Sequence, residues 1–132
     1  MRIVLDANVL IAAGATHGLC ESVMELCLER HQILTCTEIV VDVEEKLVRK
    51  MKVKASVAAA FALMLRQQSE RVVPEWVPPE ACRDRDDLAI LGMVAPGRAD
   101  VVVTGDKDLL VLKSYKGVPI QTPREFWDHV TR

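Results

Sequence analysis

The chain has 132 residues, half of them hydrophobic and 27% charged, with a formal net charge of −2. That length suits one domain spanning 1–132 with a real core and no need of disulfide or metal staples. The balance is that of an ordinary globular chain, and the absence of a basic excess confines any nucleic-acid-binding surface to a local patch.

The opening stretch is apolar, but Asp6 and Asn8 interrupt it where a secretory signal would run unbroken. No run approaches the length of a membrane-spanning helix, so a cytoplasmic protein is expected. Cys20, Cys27, Cys36 and Cys82 form no C-x-x-C pair and lie near no histidine at zinc-finger spacing. They read as small buried hydrophobes in a reducing compartment.

In chain order, RIVL at 2–5 predicts a buried strand ending at Asp6. Val9 to Ala13 and Cys20 to Arg30 read as helices, and Gln32 to Thr35 as a second strand. Thr35 with Glu38 three residues on has capping-box spacing and predicts a helix from about Cys36. Lys54 to Glu70 predicts a long helix whose stripe Val57, Phe61, Leu65 faces the core. Arg71 to Val73 returns to strand, PEWVPPEAC is a proline-punctuated loop, and Asp84 opens a helix to about Val94. Val101 to Thr104 is a β-branched strand of the doubly buried kind, followed by a short helix at Asp108 to Leu112 and a strand at Val118 to Gln121. Thr122-Pro123-Arg124-Glu125 caps a last helix. Strands alternating with helices predict an α/β fold, a mainly parallel sheet covered on both faces.

In such sheets function collects beyond the C-terminal ends of the strands. Asp6 and Asp106 fall there directly, and Asp42 and Asp87 lie on helices the sheet can bring alongside. Carboxylates from separate elements converge only if a cation offsets their repulsion, and an all-oxygen cluster suits Mg²⁺ or Mn²⁺ rather than zinc. Each acid also has a local explanation. Asp6 and Asn8 can shape a turn, Asp84 and Asp106 can cap helices, Asp87 suits a helix start, and Asp42 can pair with Lys46.

Taken together, the residues resemble a PIN-domain ribonuclease of the toxin–antitoxin branch (VapC-like). MRIVLDANVLIAA resembles the first strand and its Asp-x-Asn turn, DVEEKLVRK the second motif, CRDRDDLAILGMV the third, VVVTGDKDLL the fourth and IQTPREF the closing segment. The resemblance implies a three-layer α/β/α sandwich with an acidic, metal-binding pocket that cleaves RNA. It places metal-binding carboxylates at Asp6, Asp87 and Asp106, the usual hydroxyl at Thr104, and secondary acids at Asp84 and Asp108. In the second motif Asp42 stands where Glu is expected. Glu45 and Glu38 share its helix face, so either Asp42 or Glu45 can complete the site, with the alignment favouring Asp42. An inhibitory antitoxin and a homodimer are further implications.

A cation held by these acids would activate water on a phosphodiester. His17, His31 and His129 lie outside every motif, which gives a metal-free histidine mechanism no support. RNA must then be held by cations nearby, and Lys46, Arg49, Lys50 and Lys107 are the candidates. Three rivals compete. A haloacid-dehalogenase-type phosphatase wants a second Asp where Asn8 stands. A receiver domain wants paired acids in a different order. A PIN-fold binding module with a degraded metal site draws weight from the Asp42 departure.

Overall fold

The computed structural model describes residues 1–132 and has the α/β architecture expected from the sequence. β1 (Arg2–Leu5) leads through α1 (Ala7–Ala15) and α2 (Leu19–Arg30) to β2 (Gln32–Thr35). Then come α3 (Thr37–Arg49), α4 (Ala55–Gln68) and β3 (Glu70–Arg71). The second half holds α5 (Leu88–Gly92), β4 (Val101–Val103), α6 (Lys107–Leu110), β5 (Ser114–Tyr115), β6 (Val118–Gln121) and α7 (Pro123–Val130). The six strands run in the order β3-β2-β1-β4-β6-β5, all neighbours parallel except the β5–β6 pair. Helices flank the sheet, with α1 packed on α2 and α3, α3 on α4, and α7 on α2.

β1 and β4 form the centre. Ile3, Val4 and Leu5 are fully buried, and Val101 to Val103 are buried beside them in register Leu5↔Val103. After β1 the chain builds outward to β2 and β3, then crosses back to lay β4 on the other side of β1. The crevice between β1 and β4 is therefore the topological switch point, where open α/β sheets place their ligands.

Several elements depart from expectation. Thr35 does not cap α3: it ends β2, buried, and Cys36 occupies the cap position with no side-chain cap bond. The predicted core stripe on α4 is rotated, since Ala58, Ala62 and Leu65 are buried while Val57 is 52% exposed and Phe61 is half-buried. α4 packs on α3, and its small alanines are buried where the larger Val57 is not. The helix predicted from Asp84 to Val94 is broken into a 3₁₀ turn (Arg85–Asp87), the short α5 and irregular turns. Its cause is local. The Asp84 side chain accepts from the Asp86 amide two residues on, tightening the first turn. At the other end Gly92 packs so closely that a Cβ would stand 2.6 Å from the Glu75 carbonyl oxygen.

The β5–β6 hairpin was not anticipated. Its two-residue turn, Lys116-Gly117, has φ of 49° and 79°, the left-handed pair that a type I′ turn needs. The last helix is as predicted. Thr122 accepts from the Glu125 amide at 3.0 Å, Glu125 accepts from the Thr122 amide at 2.9 Å, and Pro123 holds the first helical position. Since α7 places fully buried Phe126 in the core, the cap has global leverage. Thr122→Ala is expected to lower unfolding free energy by about 1 kcal/mol, read as a lower urea midpoint at unchanged slope.

Candidate metal centre

Asp6 is the first residue beyond β1, and its amide still donates to the Val103 carbonyl on β4 at 3.0 Å. Extended backbone there (φ −63°, ψ 152°) turns the chain into α1 while the carboxylate stays 4% exposed at the switch point. Thr104, fully buried one residue past β4, donates its hydroxyl to Asp6 Oδ2 at 2.6 Å and accepts from the Asp106 amide at 2.9 Å. One hydroxyl thus ties the loops after β1 and β4 together. Asp106 in turn caps α6 through Oδ1, which accepts from the Asp108 amide at 2.8 Å.

The third acid arrives from the broken helix. Asp87 is 5% exposed at the end of the 3₁₀ turn, and Asp6, Asp87 and Asp106 bring carboxylate oxygens within 4.8 Å of one another. Asp84, Asp87 and Asp108 form a second trio of the same dimension, so Asp87 belongs to both. The price of this convergence appears in the protonation equilibria. Burial holds Asp6 above the ordinary carboxylate range despite the Thr104 hydrogen bond, with Asp106 adding repulsion. Asp87 is raised further, by burial first and then by Asp106, Asp6 and Asp84.

The trio opens into a cleft of about 360 Å³. Asn8, Glu38, Asp42, Lys46 and Arg85 line it with the central acids. On α3 the buried stripe Ile39, Val43, Leu47 fixes the helix so that Glu38, Asp42 and Lys46, each one residue earlier, border the cleft. Lys46 Nζ lies 3.1 Å from Asp42 Oδ2. Glu45 does not line the cleft; it is exposed and pairs with Arg49 at 3.1 Å. Asp42 and not Glu45 therefore stands beside the trio.

The expected RNA-holding cations are scattered. Lys46 is in the cleft, Arg49 is engaged with Glu45, Lys50 is exposed at the end of α3, and Lys107 is exposed beside Asp106. Two cleft neighbours were not assigned roles from sequence. Glu38 shares the Asp42 face and lines the cleft. Cys82, read as a buried hydrophobe, directs its thiol at Asp87 Oδ2 (3.8 Å) and the Asp108 carbonyl (3.6 Å), and nothing in its spacing signals that contact.

The donor set suits a hard divalent cation. It offers carboxylate oxygens alone, held by rigid strand ends and a buried hydroxyl, with mutual repulsion that a cation would relieve. The local explanations of these acids also hold, for Asp84 and Asp106 cap with one oxygen each and Asp42 pairs with Lys46. Capping and convergence coexist because a carboxylate has two oxygens.

A PIN domain family model matches residues 2–108. The chain belongs to the PIN domain family. A similar solved structure is that of VapBC2 from Rickettsia felis bound to a DNA fragment from their promoter. It superposes with a TM-score of 0.64 over 92% of this chain and 98% of that one, at 13% identity. No curated protein sequence matches the chain. The PIN match covers the strands and motifs that carry Asp6, Asp42, Asp87 and Asp106, whereas the hairpin and α7 lie beyond it.

Proposed function

We propose that this PIN domain is a divalent-metal-dependent endoribonuclease, the toxin of a toxin–antitoxin pair. The observation that carries the reading is the convergence of Asp6, Asp87 and Asp106 at the switch point of the sheet. These three would hold Mg²⁺ or Mn²⁺, which when bound supplies an acidified water and stabilises charge on the phosphodiester. The chain's own residues do the positioning. Thr104 keeps the Asp6 carboxylate oriented and Asp106 close to it. Asp42 offers a further acceptor for the attacking water, and Lys46 beside it offers positive charge to the departing oxygen. Asn8, Asp84 and Asp108 border this arrangement in supporting places.

RNA cleavage with Mg²⁺ or Mn²⁺, abolished by EDTA, tests the reading; cleavage unaffected by EDTA refutes it. The acidic corner has its own test. Asp42→Asn is expected to slow cleavage about ten-fold or more, whereas Glu45→Gln, off the cleft, stays within about two-fold of wild type. The reverse ranking would move the corner to Glu45.

A second reading draws on the Asp42–Lys46 ion pair, which occupies the corner with a shorter acid. It makes the chain a PIN-fold module that binds RNA or protein without cutting, and it predicts RNA binding with no cleavage under any metal. The antitoxin assignment is supported by likeness to the VapBC2 complex. A homodimer is supported by exposed Val41 and Val48 on α3 and Val57 and Leu63 on α4, apolar area that a second copy would cover. No single helix is long and apolar enough to cross a membrane.

A further inference from the structure

A second cavity, of about 380 Å³, lies at the N-terminal end of α3 and has the opposite chemistry to the metal cleft. Its polar lining comes from Thr35 at the end of β2, Thr37 in the first turn of α3, Arg66 and Ser69 at the end of α4, and Arg71 on β3. No acidic side chain lines it. Thr35 is only 3% exposed and its hydroxyl has no hydrogen-bond partner; the Ser69 hydroxyl is likewise buried and unpartnered. Buried hydroxyls are almost always satisfied, and two of the three unsatisfied buried side-chain atoms in the chain belong to residues of this one cavity.

The helix end adds donors. The first amides of a helix have no intrahelical acceptor, and α3, thirteen residues long, has no side-chain cap. Cys36 in the cap position turns only a weakly accepting sulfur toward the Glu38 and Ile39 amides. Together with the helix dipole these amides favour an anion. Arg71 makes no ion pair, and Arg66 has only a long contact of 3.9 Å to Glu44 outside the cavity.

We propose that this cavity is an anion site that takes a phosphate group, held by the Thr35 and Ser69 hydroxyls, the first amides of α3, Arg66 and Arg71. Resting on the ribonuclease reading, its occupant is a phosphate of the RNA strand flanking the one that is cut. Thr37 lines this cavity and the next residue, Glu38, lines the metal cleft, so a strand crossing the first turn of α3 meets both. The site answers a need the cleft creates. Seven acids line that cleft against Lys46 and Arg85, so the strand must gain its hold outside it.

Titration of the full chain with inorganic phosphate, at ionic strength matched with chloride, tests the site without reference to catalysis. Saturable shifts of the Thr37, Glu38 and Ile39 amide resonances are expected, weakened at least about ten-fold in Arg66→Ala/Arg71→Ala and reduced in Thr35→Val. Both arginines are exposed, so the double variant keeps its fold. No saturable shift, or shifts that the double variant retains, overturns the anion site. On RNA the double variant is expected to raise KM about ten-fold with kcat unchanged. Phosphate binding with an unmoved KM for RNA overturns the assignment to the strand and leaves a site for free phosphate. A wild type that cuts no RNA overturns the ribonuclease reading, and the phosphate titration then still decides the anion site.

Discussion

Asp6→Asn is expected to reduce metal-dependent RNA cleavage by about two orders of magnitude or more while leaving the fold intact. The substitution removes a charge from the centre of the trio but keeps the side chain's size, and its amide oxygen can still accept from Thr104. Burial already holds this carboxylate above its ordinary range, so the neutral variant loses a folding penalty and does not unfold. Activity and stability should therefore move in opposite directions, activity falling as the metal-free melting temperature holds or rises. Cleavage of a labelled RNA with Mn²⁺, beside thermal melts of both proteins, checks this. Equal cleavage by the two proteins would remove Asp6 from the chemistry.

The second large effect concerns pH and metal. Asp87 is pushed up to about 8 in the folded chain, against about 4 when unfolded. Between those values the folded state holds a proton that the unfolded state has lost, so stability falls as pH rises through the window. Below pH 4 both states are protonated and this contribution is fully present; above pH 8 it is gone. Metal-free protein should accordingly melt several degrees lower at pH 8 than at pH 5. Millimolar Mg²⁺ or Mn²⁺ should restore the difference at pH 8 through binding to the folded state alone. Asp87→Asn should melt higher than wild type without metal at pH 8 and respond little to added cation. Melts that rise with pH, or a variant as metal-responsive as wild type, would count against the site.

How far the sequence reveals this centre depends on what positions each acid. Asp6 and Asp106 are legible because a short β-branched run shows where a strand ends, and strand ends in a parallel sheet are where ligands sit. Asp87 is legible only through its motif. The periodicity around it suggests one long helix, whereas Asx bonding at Asp84 and the tight packing of Gly92 break that helix and turn the carboxylate inward. The choice between Asp42 and Glu45 needed the structure because it depends on how packing rotates α3 about its axis. With Ile39, Val43 and Leu47 buried, Glu38, Asp42 and Lys46 turn to the cleft, whereas Glu45 turns to solvent and pairs with Arg49.

Other departures follow from tertiary packing overriding local pattern. Thr35 and Glu38 have the spacing of a cap, yet β2 runs one residue longer than a cap allows and claims Thr35 for the core. On α4, apolar residues surround most of the helix, so spacing alone cannot tell which stripe turns inward. The β5 hairpin is signalled only by a Lys-Gly pair between Tyr115 and Val118, a weaker mark than Asn-Gly.

That hairpin has a consequence for how the sheet avoids pairing edge to edge with another sheet. Exposed strand edges are templates along which chains stack into aggregates. Here the edge strands β3 and β5 are two residues each, the shortest in the sheet. Glu70 on β3 is engaged by Arg2, and Lys113 and Lys116 flank β5 in left-handed conformations. A central sheet of long-range parallel pairings, which folds slowly and is vulnerable while it forms, is thus bordered by strands too short and too charged to recruit a second sheet.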